Sequence, residues 1–137
     1  MAFRLEAEGK LRSGETLAEA VEAVKPFEPT AVMLNCSDPE VISQAMPELA
    51  RLFPSAGGYA NAFKTVEPMA GGALVDELEA RLDVSPGAYA LRVKQWLEDG
   101  ASVVGGCCEI TPEHIRHLVD VLEGDYELVR FSDLAGN

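Results

Sequence analysis

Val103-Val104-Gly105-Gly106-Cys107-Cys108-Glu109-Ile110-Thr111-Pro112-Glu113-His114-Ile115 holds the strongest structural signal in the chain. It opens as a short apolar strand, passes through a glycine-lined loop with two adjacent cysteines, and enters a helix. Thr111 suits the N-cap and Pro112 the first helical turn, where its missing N–H costs nothing. Both thiols are therefore expected between the carboxyl end of a strand and the start of the next helix, the place where α/β proteins keep their chemistry. Adjacent side chains rarely point the same way, so Cys107 and Cys108 need irregular backbone, which Gly105 and Gly106 are expected to allow.

The same grammar recurs upstream. Thr30 to Leu34 is a β-branched and apolar run leading into Asn35 and Cys36, with Ser37 or Asp38 as cap and Pro39 as first helical residue. Val41, Ile42, Ala45 and Met46 form the buried stripe of that helix, which Pro47 is expected to kink or restart before it continues to Phe53. Near the N-terminus, Phe3-Arg4-Leu5 reads as a strand end, followed by a polar loop through Gly9 and Gly14. Thr16 and Glu19 then form a capping box for a helix that carries Leu17, Val21 and Val24 on one face and stops at Pro26.

Ala56 to Asn61 is a weaker strand, because glycine suits a strand only where another group approaches the backbone closely. Ala62 to Asp83 has the look of a long loop over the active face, with a short helix expected over Leu74–Leu82. Ser85 and Pro86 open a further helix through Leu91, Val93, Trp96 and Leu97, closed by Gly100, with Trp96 packing on the sheet. After the last helix, which ends near Gly124, Tyr126–Phe131 is a candidate strand. Strands alternating with capped helices mean a parallel sheet with right-handed crossovers, within one compact domain over residues 1–137.

A hydrophobic share of 47% with 25% charged residues is that of a globular rather than a disordered chain. The net charge of −12, with no basic run to offset it, argues against nucleic acid and anionic membrane surfaces as partners. No apolar stretch approaches the roughly 20 residues that span a bilayer, and no basic-then-apolar leader opens the chain. A cytoplasmic location is expected. There three cysteines stay reduced, and their odd number also argues against a disulfide framework.

Cys36 and the Cys107-Cys108 pair follow two different strands of one parallel sheet, so all three thiols are expected on its carboxyl-end rim. From spacing alone they read either as small buried hydrophobes or as three ligands of a tetrahedral Zn²⁺ with one open position, the coordination of a catalytic rather than a structural site. A redox role for Cys107-Cys108 is disfavoured, since the Cys-x-x-Cys spacing of oxidoreductases is absent.

Gly105-Gly106-Cys107-Cys108 with Thr111-Pro112-Glu113-His114-Ile115 resembles the zinc-ligand motif of the homocysteine S-methyltransferase family. Asn35-Cys36-Ser37-Asp38-Pro39-Glu40-Val41-Ile42 is similar to its other zinc segment, Tyr59-Ala60-Asn61 to its tyrosine and asparagine strand end, and Phe3 to Val21 to the preceding strand and helix. The likeness runs from about Phe3 to Leu118. It implies about the second half of a (β/α)₈ TIM-type barrel, whose full form has roughly 250 residues, and hence a partial homocysteine-binding domain. It implies Cys36, Cys107 and Cys108 as zinc ligands, Asn61 beside the homocysteine site, Asn35 bracing the loop, and no assigned catalytic side chain. His114 and His117 are expected solvated on the last helix, and Glu109 either orients the loop or perturbs the metal's charge. The implied reaction transfers a methyl group from a sulfonium, ammonium or cobalamin donor to homocysteine, giving methionine. A half barrel also implies a partner, either a second copy or a complementary half-barrel chain, and the alternative role is a non-catalytic module that binds zinc and needs that partner.

Overall fold

The computed structural model describes residues 1–64, 80–130 and 133. Its elements run β1 (Ala2–Phe3), α1 (Leu17–Val24), a 3₁₀ turn (Lys25–Phe27), β2 (Val32–Asn35), α2 (Pro39–Leu52), β3 (Ala56–Tyr59), α3 (Pro86–Glu98), β4 (Val103–Val104) and α4 (Pro112–Leu122). The strands form one sheet in the order β1-β2-β3-β4, and every adjacent pair is parallel. Sequential order without reversal distinguishes this α/β sheet from a doubly wound one and matches part of a TIM-type barrel. Right-handed crossovers between such neighbours put the helices on a single face.

Register shows which face that is. A Cβ on Gly58 would meet Ile42 Cγ2 at 3.0 Å, Met46 Cε at 3.1 Å and Trp96 Cε3 at 3.6 Å, so this glycine lets α2 and α3 settle on β3. Leu34 is paired with Gly58 and Val32 with Ala56, and both are fully buried on that helix-covered face. Met33, Asn35 and Tyr59 alternate to the opposite face and are only partly buried. Gly57 shares their face, and a Cβ there would lie 2.2 Å from the Val103 carbonyl oxygen of the adjoining strand.

Local chemistry explains the helix limits. Thr16 and Glu19 form the expected capping box, and the buried residues of α1 include Leu17, Val21 and Val24. Ser85 Oγ accepts from Ala88 N at 3.3 Å, and Gly100 (φ 106°) closes the turn after α3. Trp96 is fully buried, donates through Nε1 to Ser43 Oγ at 2.8 Å, and meets Tyr89 edge-on with centroids 5.9 Å apart.

Three expectations change. Pro47 does not restart its helix: α2 runs unbroken from Pro39 to Leu52, held on both sides of the proline by the buried Ile42, Met46 and Leu49. The strand expected at Tyr126–Phe131 is not formed over 126–130. Asp125 N and Tyr126 N both bond back to Leu122 O, at 3.0 and 2.9 Å, and the segment that follows pairs with no described strand. Of the helix expected over Leu74–Leu82, residues 74–79 lie outside the described residues; Ala80 forms an antiparallel bridge with Phe63 and Leu82 stands 92% exposed, so the segment's end is not helical.

Candidate metal centre

Cys36, Cys107 and Cys108 come together at the carboxyl ends of β2 and β4, their Sγ atoms all within 4.8 Å of one another. Cys36 Sγ lies 4.0 Å from Cys108 Sγ, and Cys107 Sγ 3.8 Å from Cys108 Sγ. Tetrahedral Zn–S bonds of about 2.3 Å separate sulfurs by about 3.8 Å, so the donor set fits that ion.

How consecutive residues reach one point is visible in the ladder. In a regular parallel pair, alternate residues of one strand donate and accept in step with the other. From β3 to β4, Gly105 N bonds Gly58 O (3.2 Å) and Cys107 N bonds Ala60 O (2.9 Å), in step. The next donor, Ala62 N, should reach Cys107 O; it bonds Cys108 O instead, at 2.9 Å. The cysteine strand has slipped by one residue, much as at a β-bulge, which re-aims a side chain. Cys107 O, released from the ladder, accepts from Ile110 N at 3.1 Å across a turn that holds Glu109 at φ 61°.

The same slip occurs at β2. Cys36 N bonds Tyr59 O at 3.0 Å, after which Asn61 N should reach Cys36 O but bonds Ser37 O at 3.1 Å. Cys36 adopts φ 47°, and its bypassed carbonyl accepts from Asn61 Nδ2 at 3.0 Å. Asn61 Oδ1 in turn accepts from Phe63 N at 3.0 Å, so this fully buried amide is engaged at both ends by backbone. Ser37 is not the helix cap. Its hydroxyl accepts from Leu5 N (2.9 Å) and donates to Asn35 O (3.0 Å), tying β1 to the Cys36 loop, while Asp38 takes the N-cap position without a side-chain bond.

The glycines of the double-cysteine loop act differently from expectation. Neither Gly105 nor Gly106 has a positive φ. Gly106 is required for space, because a Cβ there would meet Ile110 Cγ2 at 2.2 Å. Left-handed backbone falls on Glu109, whose side chain is solvent-exposed.

Electrostatics favour the protonated form of Cys36 and Cys108 in the bare cluster. Burial first, then the hydrogen bond and charge of Cys107, push the Cys36 thiol up to about 12. Burial and then Cys107 also raise Cys108, and the Tyr59 phenol is raised by burial first and by the Cys107 and Cys36 charges after it. A cation among the sulfurs reverses this preference, since it stabilises the thiolates directly.

Two supporting groups have little signature in the sequence. Tyr89, on α3, donates through its hydroxyl to Gly105 O at 2.7 Å and accepts from Ala60 N at 3.2 Å. Its only sequence signal is its place one turn before Val93 on the buried face of α3. Arg81 forms a two-pronged pair with Glu40 in the first turn of α2 (2.8 and 2.9 Å), while Arg81 N bonds Ala62 O at 2.7 Å. Arg81 first, with Arg92 assisting, holds the Glu40 carboxyl below its usual range. His114 is a correction. Rather than solvated, it is buried, with Nδ1 accepting from Thr111 N at 3.2 Å and Nε2 placed 2.8 Å from Val84 O, the bonding of a neutral Nε2–H tautomer. His117 is exposed, as expected.

Beside Cys36 lies a polar cavity of about 120 Å³ walled by Arg4, Ser37, Asp38, Asn61 and Lys64. Among the described residues no helix is long and apolar enough to cross a membrane.

Comparison with known proteins agrees with this geometry. The family model for homocysteine S-methyltransferase matches residues 1–122. Homocysteine S-methyltransferase 1 of Zea mays is 31% identical over 126 residues, an alignment that covers 83% of this chain and 34% of the maize protein. The chain thus spans about a third of the length of that curated relative. With a family model matched over most of its length, the chain belongs to the homocysteine S-methyltransferase family.

Proposed function

We propose that this chain carries the zinc-binding part of an enzyme that transfers a methyl group to the thiol of homocysteine, giving methionine. The observation that supports it most is the convergence of three thiols, from two strand ends, at S–S separations suited to one tetrahedral ion. Cys36, Cys107 and Cys108 would hold Zn²⁺, leaving one position open. Bound there, zinc supplies a positive charge that favours the thiolate form of a sulfur ligand at neutral pH.

The chain's own residues do the remaining work. The two slipped ladders hold the cysteines in place before any ligand arrives, so little reorganisation is needed on binding. The cavity walled by Arg4, Asn61 and Lys64 adjoins Cys36 and offers polar and cationic groups suited to the amino-acid end of homocysteine. Asn61, in its wall, would position substrate chiefly through the Cys36 loop that it braces. In the overall transfer the donor–methyl bond breaks as the sulfur–methyl bond forms, and the thiol proton leaves to solvent. The methyl donor is a sulfonium, ammonium or cobalamin compound.

A second reading is a half-barrel module that completes its site only on association, with a complementary half-barrel chain or a second copy. It is favoured by β1 and β4, each paired on one side only among the described strands, and by an apolar groove of about 470 Å³ along β4 and α4. Zinc analysis and a methyl-transfer assay with homocysteine, run alone and with a complementary half barrel, test both readings. Near-stoichiometric zinc is expected. A protein that takes up no zinc overturns the first reading, and a fully active monomer overturns the second.

A further inference from the structure

We propose that Tyr89 is a positioning residue for the metal centre: its hydroxyl is inserted into the β3–β4 ladder one step before the double cysteine and sets the backbone path from which Cys107 and Cys108 project. The proposal rests on the three-cysteine reading above.

Ladder arithmetic carries it. Gly105 N reaches Gly58 O and Cys107 N reaches Ala60 O, so a regular parallel pair would join Ala60 N to Gly105 O directly between those two bonds. That one bond is missing. In its place Ala60 N donates to Tyr89 Oη at 3.2 Å and Tyr89 Oη donates to Gly105 O at 2.7 Å. Two bonds through an oxygen replace one of about 2.9 Å, which opens a gap at that one rung, one step before the double cysteine, while the flanking bonds stay closed at 3.2 and 2.9 Å. Beyond the insertion the ladder slips by one residue, at Ala62 and Cys108.

Tyr89 is fitted to this task from every side. It is 1% exposed, its ring meets Trp96 edge-on at 5.9 Å and His114 at 6.1 Å, and His114 is itself anchored to Val84 O. The ring is thus held by α3 and α4, and it carries the hydroxyl to the two backbone groups of the sheet. Burial raises its pKa, which keeps it a neutral donor at Gly105 O.

A hydroxyl serving only to satisfy backbone groups would affect stability and leave the sulfurs alone. A hydroxyl serving as a spacer does the reverse, because without it Ala60 N–H and Gly105 C=O are free to pair directly and close the gap. Tyr89→Phe tests the difference, with Ser43→Ala as a control that removes the Trp96 hydrogen bond elsewhere in the same core. Zinc affinity is measured by chelator competition, cobalt-substituted protein by its sulfur-to-metal and ligand-field absorption, and metal-free stability by urea unfolding. Tyr89→Phe is expected to weaken zinc by roughly 10–100-fold, the range of outer-shell changes, and to alter the cobalt spectrum. Ser43→Ala is expected to lower stability with affinity and spectrum unchanged. Wild-type affinity and spectrum in Tyr89→Phe overturn the positioning role alone, as does an equal loss of affinity in Ser43→Ala. Wild-type protein that binds neither metal overturns the three-cysteine reading, and this role with it.

Discussion

The two cysteine-bearing strand ends solve one problem in different ways. Both slip by one residue against β3, which stands between them and serves each as template. After β2, the residue carried past the ladder is Cys36 in left-handed backbone, and its bypassed carbonyl is recovered by a side chain, Asn61 Nδ2. After β4, the residue whose carbonyl leaves the ladder is Cys107, recovered by backbone in the turn to Ile110, and the residue that takes its place is also a cysteine. One slip delivers one thiol and depends on an asparagine; the other delivers two and depends on a glycine, a left-handed Glu109 and the hydroxyl of Tyr89. A slipped ladder costs little when each displaced backbone group finds a new partner.

The largest effect is expected where the two ends meet. Cys36→Ser should lower zinc affinity by more than the roughly 10–100-fold of an outer-shell change, measured by chelator competition. Near wild-type affinity would mean that the ends do not share one ion. Asn61→Ala attacks the β2 end alone. It leaves the Cys36 carbonyl and the Phe63 N–H without partners, and at about 1–3 kcal/mol for each buried group a loss of about 2–6 kcal/mol is expected in urea unfolding.

At the β4 end, Gly106→Ala forces a Cβ onto Ile110 and should cost about 1–3 kcal/mol as overpacking. A neutral result would show that this turn yields more readily than its partner. The effect smallest at neutral pH is one of titration. Cys36 titrates near 12 in the folded chain against 9.0 for an ordinary thiol, so the folded state holds its proton more tightly than the unfolded one. Metal-free stability should therefore be fully present below about pH 9 and decline as pH rises towards 12. Cys36→Ser should flatten that decline in pH-dependent unfolding.

Much of the frame was legible in the residues. Thr16 with Glu19, Ser85 with Pro86, and Thr111 with Pro112 mark helix starts through local bonds that require no distant partner. The alternation of strands and capped helices yields the parallel sheet, and the two cysteine segments could be recognised by their repeated grammar. His114 was misread because a histidine on an amphipathic helix has the same local pattern whether its ring meets water or the Val84 carbonyl 30 residues away. The Tyr126 segment has strand composition, but a strand exists only where a neighbour supplies a ladder. Pro47 does not restart α2, since the packing of Ile42, Met46 and Leu49 outweighs one lost backbone bond.

Helix starts, the parallel strands and the equivalent loops of the thiols can be read from the residues alone, because each depends on interactions spanning a few residues or on a repeated pattern. Only the tertiary structure decided the one-residue slips at Cys36 and Cys107, the engagement of both ends of the Asn61 amide and the insertion of Tyr89 into the sheet. Those depend on which carbonyl lies within about 3 Å of which donor, a distance that packing between strands and helices sets and that no local pattern records.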